Sequence, residues 1–331
     1  MSLLRRFFKR RIGAGRPYFR APEPGRSRFL AARFKDSLSA TLGYRLYLPS
    51  GSSRRDSLPL LVMLHGCAQD ASSFAQGTRM NSLADAGRFA VLYPEQSKRS
   101  NTLRCWNWFE TASLAGHGEA ALLARLIEQV TARRPIDPKR VYVAGMSAGG
   151  AMACILALRH SRLFAACAIH SGVMCGAASS LMQAIEAMRS GPSAAAILQA
   201  RQLMSEAGES VGLVPALVIH GDSDATVNPA NADAIVEQFK ARAEFSDPAA
   251  GALPASAERR IVSASRAYRQ QDYVRQGQVA VRRVLVEGLG HAWSGGDPRH
   301  EFNDPDGPDA SRLILDFVMQ YEGCPHFCFQ K

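Results

Sequence analysis

Leu58–Leu64 is an unbroken apolar run that follows the charged Arg54-Arg55-Asp56. Seven residues without alternation are what a strand buried on both faces of a parallel sheet requires. Phe89–Tyr93, Val141–Ala144, Phe164–Ile169, Ala216–Ile219 and Val281–Glu287 read as further strands of this kind. Leu42–Leu48 alternates in part and stops at Pro49, so it reads as an outer strand. Between these runs the apolar spacing changes to that of a helix. Met80–Ala86, Glu119–Arg133, Gly149–His160, Ala230–Arg242 and Ala310–Tyr321 are the predicted helices. Strand and helix alternate through most of the chain, which predicts an α/β protein with a doubly wound, mostly parallel sheet.

Two stretches interrupt that alternation. Met174–Val211 is helical in pattern and lies between two strands, so it is read as a helical insertion and a candidate lid. Ala243–Ser265, with its Pro, Gly, Ala and Ser, is read as a loop insertion. Val141–Leu158 is 18 residues without a charge, near the length of a membrane span. Gly145, Gly149 and Gly150 break it, and strand–turn–helix accounts for it better, so no transmembrane segment is expected. No repeat or linker divides the chain, and residues 29–331 are read as one catalytic domain.

Composition changes the picture mainly at one end. The 331 residues are 47% hydrophobic and 21% charged, which is ordinary for a globular protein, with a formal charge of +11. Residues 1–28 carry nine basic side chains against one acid, Glu23, so +8 of that +11 sits there. This stretch is read as a basic, disordered leader. Its charge suits an anionic surface such as a storage granule or lipid headgroups. Leu3, Leu4, Phe7 and Phe8 would share one helical face opposite Arg5, Arg6, Lys9 and Arg10, as in a small surface anchor. The rest of the chain shows no nucleic-acid motif, so no nucleic acid is expected as a partner. The longest apolar pieces near the start are pairs, short of the roughly 7–15 residues a secretory signal needs. The expectation is therefore a cytoplasmic protein, with an extracellular one as the alternative.

Seven cysteines leave at least one unpaired. Cys154 and Cys167 lie in apolar runs and are read as buried thiols. Cys67 and Cys105 fall in loops expected to border the active site, where export would allow a disulfide. Cys324 and Cys328 would pair or fray. Their spacing does not supply a zinc site, and neither metal nor cofactor is expected.

The chemistry centres on Gly145-Met-Ser-Ala-Gly149. A Gly-x-Ser-x-Gly pattern alone is weak evidence. Here Val-Tyr-Val-Ala precedes it and a long small-residue apolar run follows, so a strand turns sharply into a helix at Ser147. That is the context of a nucleophile elbow. A serine hydroxyl needs a base, and the base needs an acid, in chain order Ser, Asp or Glu, His. Of eight histidines, His291 stands directly after the last apolar strand in Gly288-Leu-Gly-His-Ala-Trp-Ser-Gly-Gly296, and it is the preferred base. His220 ends a strand but precedes the acid. The acid comes from His220-Gly-Asp-Ser-Asp-Ala-Thr-Val227, where Asp222 and Asp224 compete. Asp224 lies farther along the loop and is preferred, with Asp222 stiffening the turn. Two backbone N–H groups are needed for an oxyanion hole. Ala148, after the nucleophile, offers one. Cys67, in Leu64-His-Gly-Cys-Ala-Gln69 after an early strand, offers the other.

With these pieces in order, Leu42 to Tyr321 resembles the polyhydroxybutyrate (PHB) depolymerase family of esterases, which is related to feruloyl and acetyl xylan esterases. The resemblance is carried by Leu64–Gln69, Tyr93-Pro-Glu-Gln96, Cys105-Trp-Asn-Trp-Phe109, Gly145–Met152, His220–Val227 and Gly290–Gly296. It implies the α/β-hydrolase fold, Ser147, Asp224 and His291 as a triad, and Cys67 with Ala148 as the oxyanion hole. It also implies that Trp106, Trp108 and Trp293 shape the acyl cleft, where an indole suits an aliphatic polyester or a cinnamoyl ring. The expected activity is a serine esterase acting on a short-chain polyhydroxyalkanoate. The alternatives are a feruloyl or acetyl esterase acting on plant-derived esters, and a hydrolase-fold protein that binds without turnover.

Overall fold

The computed structural model describes residues 27–36, 40–206, 213–263 and 265–323. In chain order these form β1 (Arg28–Lys35), β2 (Thr41–Leu48), β3 (Leu58–Leu64), α1 (Ala71–Thr78), α2 (Met80–Gly87), β4 (Ala90–Glu95), α3 (Thr111–Leu114), α4 (Gly118–Arg133), β5 (Ile136–Met146) and α5 (Ala148–Arg159). Then come β6 (Ala166–His170), α6 (Leu181–Ser190), α7 (Ala194–Glu206), β7 (Ala216–Gly221), α8 (Ala230–Ser246), β8 (Arg259–Ser263), β9 (Arg266–Arg275), β10 (Gln278–Val286), β11 (Trp293–Ser294), β12 (Asn303–Asp304) and α9 (Ala310–Val318).

Ten strands make one sheet in the order β1-β2-β4-β3-β5-β6-β7-β10-β9-β8. The six from β4 to β10 run parallel, and an antiparallel pair closes each side. Every residue of β3, β6 and β7 is buried. Alternate side chains of β3 enter two separate cores. Leu60, Val62 and Leu64 pack with Leu123, Ile127 and Met152 of α4 and α5. Leu61 and Met63 pack with Phe74, Met80, Ile314 and Phe317 of α1, α2 and α9. A strand covered on both faces has no position for a polar side chain, which is why these runs are apolar throughout. The same holds for α5, whose first eleven residues are all buried.

The edges differ from the sequence reading. Residues 243–265 are not a loop insertion throughout: α8 runs on to Ser246, and β8 rises from Arg259 as the outermost strand. At this margin of the sheet the outermost strand β8 and its neighbour β9 are only partly covered, so they carry Arg259, Arg260, Arg266 and Arg269 and show no apolar run. β1 was hidden for the same reason. Its Arg28 pairs with Leu48, so the sheet takes in the last residue of the basic leader. Residues 1–26 lie outside the described residues, as do Cys324 and Cys328. The helical insertion is present as α6 and α7, with residues 207–211 also outside the described part. No described helix is long and apolar enough to cross a membrane.

Candidate active site

β5 ends at Met146 and α5 begins at Ala148, so a single residue makes the turn. Ser147 takes φ +56° and ψ −122°, a conformation that costs a non-glycine residue roughly 1–3 kcal/mol. The surroundings impose it. Its N–H donates to the carbonyl of His170 at 2.9 Å, and its own carbonyl accepts from Ala151 N–H at 2.9 Å. The flanking glycines are required by distance. A Cβ on Gly145 would sit 2.2 Å from Gly149 O, and one on Gly149 would sit 2.1 Å from Leu64 O. Backbone therefore packs on backbone on both sides of the serine, which aims its hydroxyl away from the sheet.

The loops after β7 and β10 bring the other two groups. Ser147 Oγ–H donates to His291 Nε2 at 3.0 Å, and His291 Nδ1–H donates to Asp224 Oδ2 at 2.7 Å. The tautomer follows from these partners, since a carboxylate accepts only. The other oxygen of Asp224 accepts the N–H groups of Thr226 at 2.9 Å and Val227 at 2.8 Å. Its carboxylate is fully shielded from solvent. Burial alone would raise the pKa of Asp224. The hydrogen bond and charge of His291, with the Val227 N–H, outweigh it and hold the carboxyl below its ordinary value. Asp222 does not face His291. It accepts the Gly288 N–H at 2.7 Å and the Ser223 hydroxyl at 3.0 Å, tying the acid loop to the loop that carries the histidine. Gly221 lets these loops touch, because a Cβ there would meet Leu289 O at 2.1 Å.

The loop after β3 closes on the serine from the opposite side. A Cβ on Gly66 would lie 3.4 Å from Ser147 Cβ, so Cys67 follows at the edge of the elbow. Neither Cys67 N–H nor Ala148 N–H has an acceptor among the described residues. Both are free for an oxygen on the reacting carbon, and Ala148 N–H stands at the positive end of the α5 dipole. Cys67 is bonded to Cys105.

Three histidines other than His291 stand behind this site. His65 accepts Gln96 N–H at Nε2 (3.1 Å) and donates from Nδ1 to Gly66 O (2.8 Å). Burial pushes its pKa down to about 4, so at neutral pH it is an uncharged strut. His170, whose carbonyl holds Ser147, is pushed down to about 3 by burial. His220 donates from Nε2 to Val227 O at 2.9 Å and lies 3.5 Å from Asp224 Oδ2, supporting the acid loop from beneath. The signal for His65 and His170 was available, since each ends or follows a strand whose neighbour carries the elbow.

The tryptophans take a different part from the cleft-lining one the resemblance implies. Trp106, Trp108 and Trp293 are all buried, at 1%, 4% and 1% exposure. Trp106 Nε1–H donates to His65 O at 3.1 Å. Trp293 stacks on His170 with centroids 5.0 Å apart and donates to Ser311 Oγ. Trp108 meets Phe109 edge-on in the core. All three rings are covered by protein neighbours, and the N–H groups of Trp106 and Trp293 are taken up by His65 O and Ser311 Oγ.

Solved structures share this architecture. An acetyl xylan esterase from Aspergillus awamori superposes with a TM-score of 0.64 at 16% identity, covering 88% of this chain and 99% of that one. A thermostable esterase matches at 0.50 and 17% identity, covering 89% and 63%. Similarity at this level establishes the fold, which is the α/β-hydrolase fold. Among sequences, Poly(3-hydroxyalkanoate) depolymerase C of Paucimonas lemoignei is 34% identical over 195 residues, 58% of this chain and 46% of that protein. Feruloyl esterase B of Neurospora crassa is 34% identical over 129 residues, covering 38% and 42%. Acetylxylan esterase A of Talaromyces purpureogenus is 28% identical over 206 residues, covering 60% and 52%. The chain thus spans about half the length of the curated relatives it matches. The family model described as Esterase PHB depolymerase matches residues 42–264, which include Cys67, Ser147 and Asp224, while His291 lies beyond the match. With more than half of its length in that match, this chain belongs to the esterase PHB depolymerase family.

Proposed function

We propose that this chain is a carboxylic ester hydrolase that works through an acyl-enzyme on Ser147. The carrying observation is the continuous hydrogen-bonded line from Ser147 Oγ through His291 to the shielded Asp224 carboxylate. As Ser147 Oγ bonds to the ester carbon, His291 Nε2 takes its proton, and Asp224 stabilises the imidazolium. The carbonyl oxygen becomes an oxyanion that accepts from Cys67 N–H and Ala148 N–H. Its collapse breaks the bond to the alkoxy oxygen, which leaves as the alcohol with the proton from His291. Water then attacks the acyl-enzyme and His291 takes one of its protons; collapse breaks the bond to Ser147 Oγ, which recovers that proton from His291 as the carboxylic acid leaves.

For the substrate we infer a short-chain polyhydroxyalkanoate, supported by the 195-residue match to a depolymerase. The second reading is a feruloyl or acetyl ester, supported by the matches to Feruloyl esterase B and Acetylxylan esterase A. Amorphous PHB, read as released 3-hydroxybutyrate, and methyl ferulate separate them when offered to wild type and Ser147→Ala side by side. Polymer hydrolysis that is lost in the mutant is the expected result. Ferulate hydrolysis without polymer hydrolysis would move the chain to small aromatic esters. We further infer an oxidising compartment, outside the cytoplasm, because a disulfide beside the reacting serine persists there and not among cytosolic thiols. Contact between the basic residues 1–28 and a storage granule belongs to the rival cytoplasmic picture. Equal diffuse signal from fluorescent fusions with and without those residues would end it.

A further inference from the structure

Glu119 opens α4, on the far side of the His65–Gln69 loop from the serine, and it was not singled out from the sequence. Its carboxylate is surrounded by donors. Oε1 accepts from Gln96 Nε2–H at 2.5 Å and from Asn107 Nδ2–H at 2.9 Å, and Oε2 accepts from Asn107 N–H at 2.8 Å. Burial raises its pKa against the lowering effect of these hydrogen bonds. An ionised carboxylate accepts on all sides and matches this ring of donors, whereas the amide of glutamine would turn an NH2 toward one of them.

The two segments it grips are those that hold the oxyanion side. Gln96 is 2% exposed; its backbone N–H fixes the His65 ring, and its Nε2–H also reaches Cys105 O at 3.2 Å. Asn107 follows Cys105, which is bonded to Cys67, and Trp106, which donates to His65 O. Three straps therefore run to His65-Gly66-Cys67: the disulfide, the indole and the imidazole. All three start from segments 96 and 105–107, and Glu119 joins those two segments to each other.

We propose that Glu119 is a positioning residue for the Cys67 N–H, fixing the oxyanion donor through the Gln96 and Asn107 segments without touching substrate. This rests on the ester hydrolase reading given above. An oxyanion donor matters only as negative charge develops, so a displaced donor lowers kcat and leaves ground-state binding nearly unchanged.

The test uses Glu119→Gln, with Glu128→Gln, an exposed position on the same helix, as the control. Hydrolysis of p-nitrophenyl butyrate is measured per active site, titrated with a fluorophosphonate. The affinity of a trifluoromethyl ketone, which forms a tetrahedral oxyanion on the serine, is measured alongside. Deleting an oxyanion donor outright typically costs about 10²–10³ in rate, so a displaced one is expected to cost roughly 10–100-fold in kcat. KM is expected to stay within about twofold, with ketone affinity falling in step with kcat and Glu128→Gln unchanged. If Glu119→Gln does not fold, Gln96→Met removes the Nε2–H bonds to Glu119 and Cys105 O while keeping the backbone bond to His65, and it is expected to lower kcat by roughly 3–10-fold with the same KM pattern. A folded variant whose kcat per titrated site equals wild type overturns the proposal, even if its melting temperature has dropped. Wild type that neither labels nor turns over the ester would overturn the hydrolase reading and this proposal with it. An active wild type with an unaffected variant overturns this proposal alone.

Discussion

Around Ser147 the nucleophile elbow is held by backbone packed against backbone, while the Gly66-Cys67 loop opposite is held by side chains. At the elbow, Gly145 O and Gly149 O, the Leu64 carbonyl and the His170 carbonyl leave no room for a β-carbon. Opposite, the loop is fixed by a disulfide, an indole N–H, an imidazole and, behind them, one carboxylate. Packed backbone carries no titratable or redox-active group, so the elbow is expected to respond to steric change alone. The opposite wall consists of groups that solvent conditions alter. The nucleophile is thus set rigidly, and the oxyanion donor can be perturbed by chemistry that leaves the elbow intact.

The sharpest break of that contrast is Gly149→Ala. Its methyl would lie 2.1 Å from Leu64 O, a backbone atom that cannot rotate away. Loss of soluble, folded protein is expected in a thermal-melt assay, since overpacking against backbone exceeds the usual roughly 1–3 kcal/mol for side-chain crowding. Next is Asp224→Asn, which keeps the shape but favours the wrong imidazole tautomer, with about 10⁴ expected in kcat. Asp222→Asn is expected to stay within about tenfold, because Asp222 bonds the Gly288 N–H and the Ser223 hydroxyl and pairs with Arg269, none of which is His291. Equal losses in the two would mean that the acid has been assigned to the wrong carboxylate.

Reduction of Cys67–Cys105 separates the two walls directly. Dithiothreitol treatment is expected to lower kcat by roughly tenfold, less than deleting a donor, while fluorophosphonate labelling of Ser147 continues. A bridge across 38 residues also contributes about 2–4 kcal/mol, so the melting temperature is expected to fall. Unchanged kcat after complete reduction would show that the loop is held without it.

A further effect is on stability alone and follows pH. Folded His65 titrates at about 4, against 6.5 for the ordinary group. Between those values the unfolded chain binds the extra proton and the folded one does not, so stability is present above 6.5 and is lost as pH falls toward 4. The size is on the order of 3 kcal/mol for the full window. Urea midpoints at pH 4.5 and 7 are expected to differ less in His65→Gln than in wild type, with His170 supplying part of what remains.

The two walls were also unequally legible in the sequence. Gly145, Ser147 and Gly149 lie within five residues and between a buried strand and a buried helix, so local pattern places them. Asp224 and His291 follow strand ends, which a doubly wound sheet gathers along one edge. The edge strands β1 and β8, and β9 beside the latter, were illegible because Arg33, Arg260 and Arg269 occupy positions that need no apolar side chain. The tryptophans looked like cleft walls because they cluster with the right loops, yet their burial depends on partners such as His170, 123 residues before Trp293. Glu119 gave no signal because its partners, Gln96 and Asn107, are set by the fold and not by spacing.

The most direct test of the whole account is peptide mapping after a fluorophosphonate reaction at neutral pH, with Ser147→Ala as the comparison. One adduct is expected, on the peptide that carries Ser147, absent from the mutant and blocked by prior reaction with an ester substrate analogue. No adduct on folded protein, or an adduct on another residue that persists in Ser147→Ala, would contradict it.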